Sequence, residues 1–302
     1  MSRRDLGRPS CTGAFLIVFN TALLSPANDI ITLPFSFDPI YNPVGQPGEV
    51  LDFTVDWGDG TAPESFSGTD PLTIVSHDYS SSQAYLTKSS LVEIAITGTV
   101  ERFNFQTVLS SSKEAFIDVL NWRSAALGQF GYWFKDCVNL QGFTDPDTPV
   151  NSVSSGLVTL RGMFYGCSSL LSEGFDTWDI QLVTDLHETF RGASSVTGVG
   201  ISAWNTVSVT SLFNTFHSCV ALTDSLGAWD VAQVTNMFQT FFASTTGDLD
   251  LANWDTQQVT ALDSTFKSCP GLIGASLGSW DVSGRPIYID INIHISMKKN
   301  IN

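Results

Sequence analysis

The sequence predicts a mixed α and β protein, in which an N-terminal β-sandwich is followed by a solenoid of short parallel strands and short helices. Tryptophan recurs at steps of 26, 25, 25 and 26 residues from Trp178 to Trp280, and phenylalanine follows each of the first four after 12 residues. A fixed period in the twenties is typical of stacked coils that bury their apolar faces against one another. Ahead of the repeats, the alternating run Leu51–Trp57 ends at Gly58-Asp59-Gly60, which predicts a hairpin turn.

The N-terminal part of the chain contains several short β-prone runs, so we expect residues 14–105 to form the β-sandwich after an N-terminal extension of residues 1–13. The apolar segment Ala14–Leu24 follows three arginines. It can be a signal-peptide core or a buried first strand. We favour the strand, because Asn20 and Thr21 interrupt the apolar run.

Each repeat predicts three local elements within residues 106–283. Val183, Leu186 and Phe190 have the spacing of one helix face. Before each tryptophan, an apolar residue followed two places later by a small one predicts a short strand with one inward face. A Trp-Asp corner joins the two. We therefore expect a strand, a corner and one or two helical turns in every coil, with strands of successive coils in parallel.

Two repeated positions are candidate binding residues. The tryptophans form one column, which either seals the core or presents rings to a sugar or protein: Trp178, Trp204, Trp229, Trp254 and Trp280. Asp179, Asp230 and Asp255 follow three of them. Aspartate accepts backbone N–H groups at turns, so this second column is either structural or an acidic binding stripe.

No motif for catalysis or metal binding is present in the sequence. The five cysteines form no CxxC pair and have no zinc spacing with histidine, and G-x-S-x-G is absent. Asp56 and Asp59 fall short of the six to eight oxygens that Ca²⁺ takes. We therefore expect a non-enzyme without cofactor or metal. Four cysteines share one repeat position and are interpreted as core residues, although a Cys137–Cys167 bridge stays open.

The charge of the chain limits its partners. Its formal net charge is −16, from 30 acidic and 14 basic residues. Between Trp178 and Ser283 the sequence has ten acidic and two basic residues. Such a field repels nucleic acid and anionic membrane surfaces, so both are excluded as partners of the solenoid. No run of 18 apolar residues occurs, so the sequence predicts no transmembrane helix. We expect a monomer that binds a protein or a glycan.

Two resemblances extend this prediction. The order Trp57-Gly58-Asp59-Gly60, then His77-Asp78-Tyr79, then Ile94–Thr99 resembles PKD-like β-sandwiches. The repeats, of which Met163–Leu170 reads MFYGCSSL, resemble units of BspA-like leucine-rich-repeat surface proteins. The resemblance implies a cell-surface or secreted adhesion protein. The alternatives are a carbohydrate-binding accessory module of a hydrolase system and a structural spacer in an envelope.

The tail, residues 284–302, lies beyond the repeats. Isoleucine takes every odd position from Ile287 to Ile295, and a residue with a polar group takes every even position. This alternation predicts a half-buried strand that caps the last coil. The alternative is that the tail is non-repeat sequence with no structural role.

Overall fold

The computed structural model describes residues 14–24, 29–33, 51–68, 75–80, 91–99, 104–108, 110–122, 131–143, 158–244, 249–271, 277 and 280. Its strands are β1 (Phe15–Asn20), β2 (Ile30–Thr32), β3 (Leu51–Asp56), β4 (Glu64–Gly68), β5 (Ser76–Asp78), β6 (Leu91–Thr99), β7 (Phe116–Asn121) and β8 (Gly142–Phe143). The α-helix α1 spans Ser110–Ala115, and 3-10 turns span Thr21–Leu23, Phe105–Thr107, Phe175–Thr177, Ile201–Ala203 and Leu251–Asn253.

The N-terminal strands form an open six-stranded sheet in the order β4-β3-β6-β1-β7-β8, and β2 pairs with β5 in a separate two-stranded sheet. The predicted sandwich is therefore wrong for the described residues. β1 lies inside the large sheet, antiparallel to both β6 and β7, which confirms the strand predicted within Ala14–Leu24. The predicted β3–β4 hairpin is also confirmed, with Val55 opposite Glu64.

The sheet continues past the predicted domain boundary at residue 105. β7 pairs with β1, and β8 pairs with β7 in parallel, which brings the sheet to the edge of the repeats. The backbone N–H of Phe105 donates to the Trp133 carbonyl at 3.0 Å, so the first repeat is hydrogen-bonded to the segment that follows β6. One hydrophobic core runs from Phe15 to Trp280.

Within the described residues from 158 onward, the repeats contain neither the predicted strands nor the predicted helices, so the expected strand-helix solenoid is wrong. Among the described residues, successive repeats pair through single parallel bridges, from Thr159 to Asp185, Ser211, Asn236 and Ala261 in turn. These bridges lie after each tryptophan, where helical turns were expected. Before three of the tryptophans lies a 3-10 turn instead of a strand. We call the turn repeats of residues 131–280 the repeat stack.

The helix-like spacing has a different origin. Between Leu186 and Val196, consecutive i→i+3 hydrogen bonds form a chain of β-turns, as in Ala193 N–H to Phe190 carbonyl at 2.9 Å. Glu188 and Gly192 take left-handed φ values of 56° and 74°, which no α-helix tolerates. The inward residues Val183, Leu186 and Phe190 are each 0% exposed. Turns and a helix thus bury the same positions, and only the backbone differs.

The strand prediction before each tryptophan failed for a similar reason. In a 3-10 turn, residues i and i+3 lie on the same side. Phe175 begins such a turn, and the N–H of Trp178 donates to its carbonyl at 3.1 Å. Both side chains therefore enter the core. A 3-10 turn thus accounts for the apolar residue and the small residue before each tryptophan, and no extended strand is needed.

Every second backbone N–H around the central phenylalanine donates to the next repeat. From the repeat of Phe190, the N–H groups of Leu186, Glu188, Phe190 and Gly192 donate at 3.2, 2.9, 2.9 and 2.8 Å to the carbonyls of Ser211, Phe213, Thr215 and His217. The phenylalanine rings stack between these layers, with centroids 5.5–5.8 Å apart: Phe134, Phe164, Phe190, Phe216, Phe241 and Phe266.

The residues that carry the PKD-like resemblance contact one another at the end of β3. The Tyr79 hydroxyl donates to the Trp57 carbonyl at 2.6 Å, and His77 Nε2 lies 2.9 Å from Asp59 Oδ2. The His77 ring stacks on Trp57, with centroids 5.0 Å apart. The turn is thus held by side chains, although the open sheet that carries it is not the sandwich that the resemblance implied.

The predicted N-terminal extension, residues 1–13, and the predicted capping strand Ile287–Ile295 lie outside the described residues. Within the described part of the chain, no helix has the length and apolar character needed to cross a membrane.

Candidate functional site

The tryptophan column lies in the core. Its five members, Trp178, Trp204, Trp229, Trp254 and Trp280, are 1–5% exposed. Neighbouring indoles stack at 5.9–6.4 Å. From Trp204 onward, each Nε1–H donates to a backbone carbonyl one repeat earlier, as in Trp229 to Ile201 at 3.0 Å. Both ring faces and the N–H are thus used within the stack, which supports the packing interpretation over a ligand-stacking ladder.

The aspartate column forms exposed turns. The carboxylates of Asp179, Asp230 and Asp255 each accept the backbone N–H two residues later, at 3.1, 3.0 and 3.1 Å. Asn205 accepts the Val207 N–H in the same way at 3.3 Å. These contacts support the structural interpretation. Among the described residues, no group of three or more His, Cys, Asp and Glu is placed to hold a metal ion.

Asp230→Ala is expected to lower the free energy of unfolding by about 0.5–1 kcal/mol, because the Ala232 N–H loses its acceptor. Urea titration measures this change. Gln233→Ala, in the same exposed turn, is the matched control and should shift stability less. Calcium should leave the melting temperature of both proteins unchanged, and a calcium-dependent rise that Asp230→Ala abolishes would instead support an acidic binding stripe.

The cysteine column satisfies backbone carbonyls. Cys167, Cys219 and Cys269 point their thiols at the carbonyls of Phe134, Phe190 and Phe241, at 2.9, 2.9 and 2.7 Å. Ser244 stands at the equivalent position and donates to Phe216. Burial raises the pKa of the Cys269 thiol to about 11, and that of the other column thiols further. Cys137 and Cys167 are both free in the structure, so the column is a set of small buried donors.

A different face of the stack carries cationic and partly exposed aromatic side chains, which the tryptophan and aspartate columns lack. It consists of two ladders of planar or cationic side chains. The first ladder occupies the position three before the central phenylalanine and contains Arg161, His187, Phe213 and Phe238, with Gly131 and Asp263 at its two ends. The second occupies the position one after it and contains Lys135, Tyr165, Arg191, His217, Phe242 and Lys267. We call the two ladders and the column between them the ladder face.

The ladder face collects the basic groups of the stack. Between residues 131 and 280 the sequence has four Lys and Arg residues and two His residues, and all six belong to the two ladders. Three half-buried phenylalanines lie beside them: Phe213, Phe238 and Phe242. Partly exposed aromatic side chains together with arginine are the composition that protein interfaces favour.

The rings of each ladder stack on one another along the axis. His187 and Phe213 have centroids 4.2 Å apart, Phe213 and Phe238 lie 5.2 Å apart, and His217 and Phe242 lie 4.8 Å apart. Their planes agree within 18°. Because neighbouring rings cover each other's faces, the ladders present ring edges to the surroundings.

The N-terminal part of the face is an ion-pair network. Glu188 accepts from Arg191 and from the Tyr132 hydroxyl, the latter at 2.9 Å. Arg161 contacts Asp185 at 3.3 Å and donates from Nη2 to His187 Nδ1 at 2.9 Å. Burial acts to raise the pKa of Glu188, but the hydrogen bonds from Arg191 and Tyr132 outweigh it, so this pKa is lowered. The carboxylate is therefore ionised and fixed.

Both histidines of the face favour the neutral form. Burial lowers the pKa of His187, and the Arg161 guanidinium lowers it further; burial and Arg191 lower the pKa of His217. Asp185 and Glu188 act in the opposite direction on His187 without reversing the shift. The Ser218 hydroxyl lies 2.9 Å from His217 Nδ1.

The stability of the stack is expected to fall as the pH drops below about 6.5. The folded-state pKa of His187 lies below its unfolded value, so the unfolded chain binds more protons in this range. Protonation also removes the Nδ1 acceptor for Arg161. Urea titrations at pH 7.5 and 5.0 measure the drop. It should be smaller in His187→Asn, whose amide oxygen accepts without titrating. Equal drops in both proteins would assign the effect to other groups.

The ladder face was missed in the sequence prediction, although a signal exists. The position after the central phenylalanine reads Lys, Tyr, Arg, His, Phe and Lys from Lys135 to Lys267. Six planar or cationic residues at one repeat position are unusual in a chain whose acids outnumber its bases. The tryptophans, which the sequence offers as candidate binding residues, mark the core instead.

Comparison with known proteins adds a match over the repeats alone. Residues 158–284 match the family described as "Mycoplasma protein of unknown function, DUF285". This match supports the resemblance to BspA-like repeats over that range. Neither a curated protein nor a solved structure matches the chain. Residues 158–284, which contain most of the repeat stack, are therefore similar to a family of repeats for which no activity is assigned.

Proposed function

We propose that this chain is a non-catalytic recognition protein of the cell surface or extracellular space, and that it binds another protein through the ladder face. The observation that carries the proposal is the concentration of all basic groups of residues 131–280 beside three half-buried phenylalanines. Aromatic and arginine side chains dominate the binding energy of protein interfaces. The resemblance to BspA-like surface proteins supports the location and the adhesive role.

The stacking geometry favours a protein over a glycan as partner. Sugars bind aromatic residues by lying on a ring face, but the faces of Phe213 are covered by His187 at 4.2 Å and Phe238 at 5.2 Å. Ring edges and paired ions instead offer a contact area of mixed apolar and polar character. The two arginines of the face are also paired, Arg161 with the neighbouring Asp185 and Arg191 with Glu188 of the face.

The test is binding of the full chain to a panel of purified extracellular-matrix proteins and to a glycan array, with Phe238→Ser and Phe242→Ser as face variants. We expect binding to at least one protein and at least tenfold weaker binding by each variant, since loss of about 1.4 kcal/mol gives a factor of ten. Val207→Ser and Val220→Ser are the controls, because these side chains are 42% and 54% exposed away from the ladders.

Other outcomes would support the alternatives. Binding confined to glycans would favour a carbohydrate-binding accessory module. A chain that binds neither set would favour a structural spacer. Equal losses in the face and control variants would show that the ladder face is not the binding surface.

A further inference from the structure

The column between the two ladders is recessed. It occupies the position two before the central phenylalanine and contains Tyr132, Gly162, Glu188, Asn214, Gln239 and Ser264. Tyr132 and Asn214 are only 6% and 4% exposed, whereas Phe213 and His217 on the adjacent ladders are half-buried. At Tyr132 and Asn214 the ladders are thus walls of a shallow groove, whereas Glu188, Gln239 and Ser264 are half-buried like the ladder residues beside them. We call the column between the ladders the groove floor.

All members of the groove floor share one backbone conformation. Their φ values are 51–57° from Tyr132 through Gly162, Glu188, Asn214 and Gln239 to Ser264. The same left-handed backbone in successive, hydrogen-bonded repeats directs each Cα–Cβ bond the same way. The position that one floor side chain takes in the groove therefore indicates which kind of side chain the groove can hold at a neighbouring repeat.

The chain fills the N-terminal part of the groove with its own tyrosine. The Tyr132 ring lies over Gly162, where an added Cβ would come within 2.2 Å of two ring carbons. Its hydroxyl reaches past Gly162 and donates to Glu188 at 2.9 Å. The groove thus holds a phenol along its axis, between Lys135 and Arg161 of the walls, with a floor acceptor at the end.

The next floor residue carries an acceptor without a donor. Asn214 Oδ1 is buried and has no hydrogen-bond partner among the described residues. A buried acceptor that is left unpaired destabilises the protein, so a donor that reached it would be favoured. The surroundings are aromatic on both sides, with Phe213 and His217 as the walls of the same repeat and Phe238 and Phe242 as those of the next.

We propose that the groove floor at Asn214 is the seat for a tyrosine side chain of the partner protein, whose hydroxyl donates to Asn214 Oδ1. This inference rests on the proposed function and names the partner's chemistry. The ring lies between the Phe213–Phe238 and His217–Phe242 walls, as Tyr132 lies further toward the N-terminus. Gln239, the half-buried floor residue of the next repeat, swings aside to admit it.

A phenol fits both the unpaired acceptor Asn214 Oδ1 and the aromatic walls beside it. A phenylalanine ring would contact the walls but leave Asn214 Oδ1 unpaired. A serine hydroxyl would supply the donor but leave the aromatic walls exposed to water. An acidic side chain would place a second carboxylate near Glu188 and supply no donor when ionised.

The experiment is a titration of N-acetyl-L-tyrosinamide into the ¹⁵N-labelled full chain, with N-acetyl-L-phenylalaninamide as the matched probe that lacks the hydroxyl. We expect the Asn214 side-chain amide and the Phe213 and Gln239 backbone amides to shift. The tyrosine probe should bind about three- to tenfold tighter, which is the value of one neutral hydrogen bond. Asn214→Gly, which keeps the left-handed backbone as Gly162 does, should make the two probes equal.

Two further variants control the result. Val220→Ser, which is 54% exposed and lies outside the groove, should leave both affinities unchanged. Tyr132→Gly vacates the seat over Gly162 and should add a second site for the tyrosine probe. Absence of shifts at Asn214, or equal affinities of the two probes for the unaltered chain, would overturn the inference. Panel binding that needs Phe238 and Phe242 would then still stand, so the two proposals fail separately.

Discussion

Phe216→Ala is expected to lower the free energy of unfolding by about 3–5 kcal/mol, the range for truncating a fully buried phenylalanine. Phe216 is 0% exposed and stacks between Phe190 at 5.6 Å and Phe241 at 5.7 Å. Its ring also contacts Trp229 at 5.6 Å. Truncation would leave a cavity that cannot collapse easily, because backbone hydrogen bonds keep the neighbouring repeats at a fixed spacing.

Urea or guanidinium titration of the full chain measures this loss. Val220→Ala is the control from the same repeat, since Val220 is 54% exposed and should change stability by less than about 0.5 kcal/mol. A loss below about 1 kcal/mol for Phe216→Ala would contradict its place in the core. A loss of similar size for both variants would show that the repeat tolerates no change of any kind.

The inward positions of the repeats were predictable from the sequence, and the backbone was not. Val183, Leu186 and Phe190 point inward because apolar groups recur at fixed steps, whatever the local conformation. The same steps fit a helix and a chain of β-turns. The left-handed residues that decide between them include Glu188, Asn214 and Gln239, which are not glycine. Their conformation comes from hydrogen bonds to the next repeat, and a single repeat read alone does not contain that information.

The candidate site also has one part that could be predicted from the sequence and one part that could not. The ladders could be found from the sequence, because one repeat position carries Tyr165, Arg191, His217 and Phe242 in succession. The groove floor could not, since its depth depends on φ values near 55° and on the Tyr132 ring crossing a whole repeat to reach Glu188. The tryptophans misdirect a sequence-based search, because large aromatic residues suit both cores and binding sites.

Gly58→Ala is expected to lower the free energy of unfolding by about 2–5 kcal/mol, combining left-handed backbone strain with a steric clash. Gly58 has φ of +76°, and an added Cβ would lie 2.1 Å from the backbone oxygen of Glu93 on β6. A backbone atom of a central strand cannot move without disturbing its pairing with β1. The turn that would be displaced also anchors Trp57, which is 0% exposed.

The same turn contains its own control. Gly60 has φ of +90°, and an added Cβ there meets nothing within 4 Å. Gly60→Ala should therefore show the backbone strain alone, about 1–2 kcal/mol. The difference between the two variants in urea titration isolates the clash with Glu93. If both variants lose the same stability, the close approach of this turn to β6 is wrong. If Gly58→Ala loses more, the turn is packed against the sheet that supports the repeat stack.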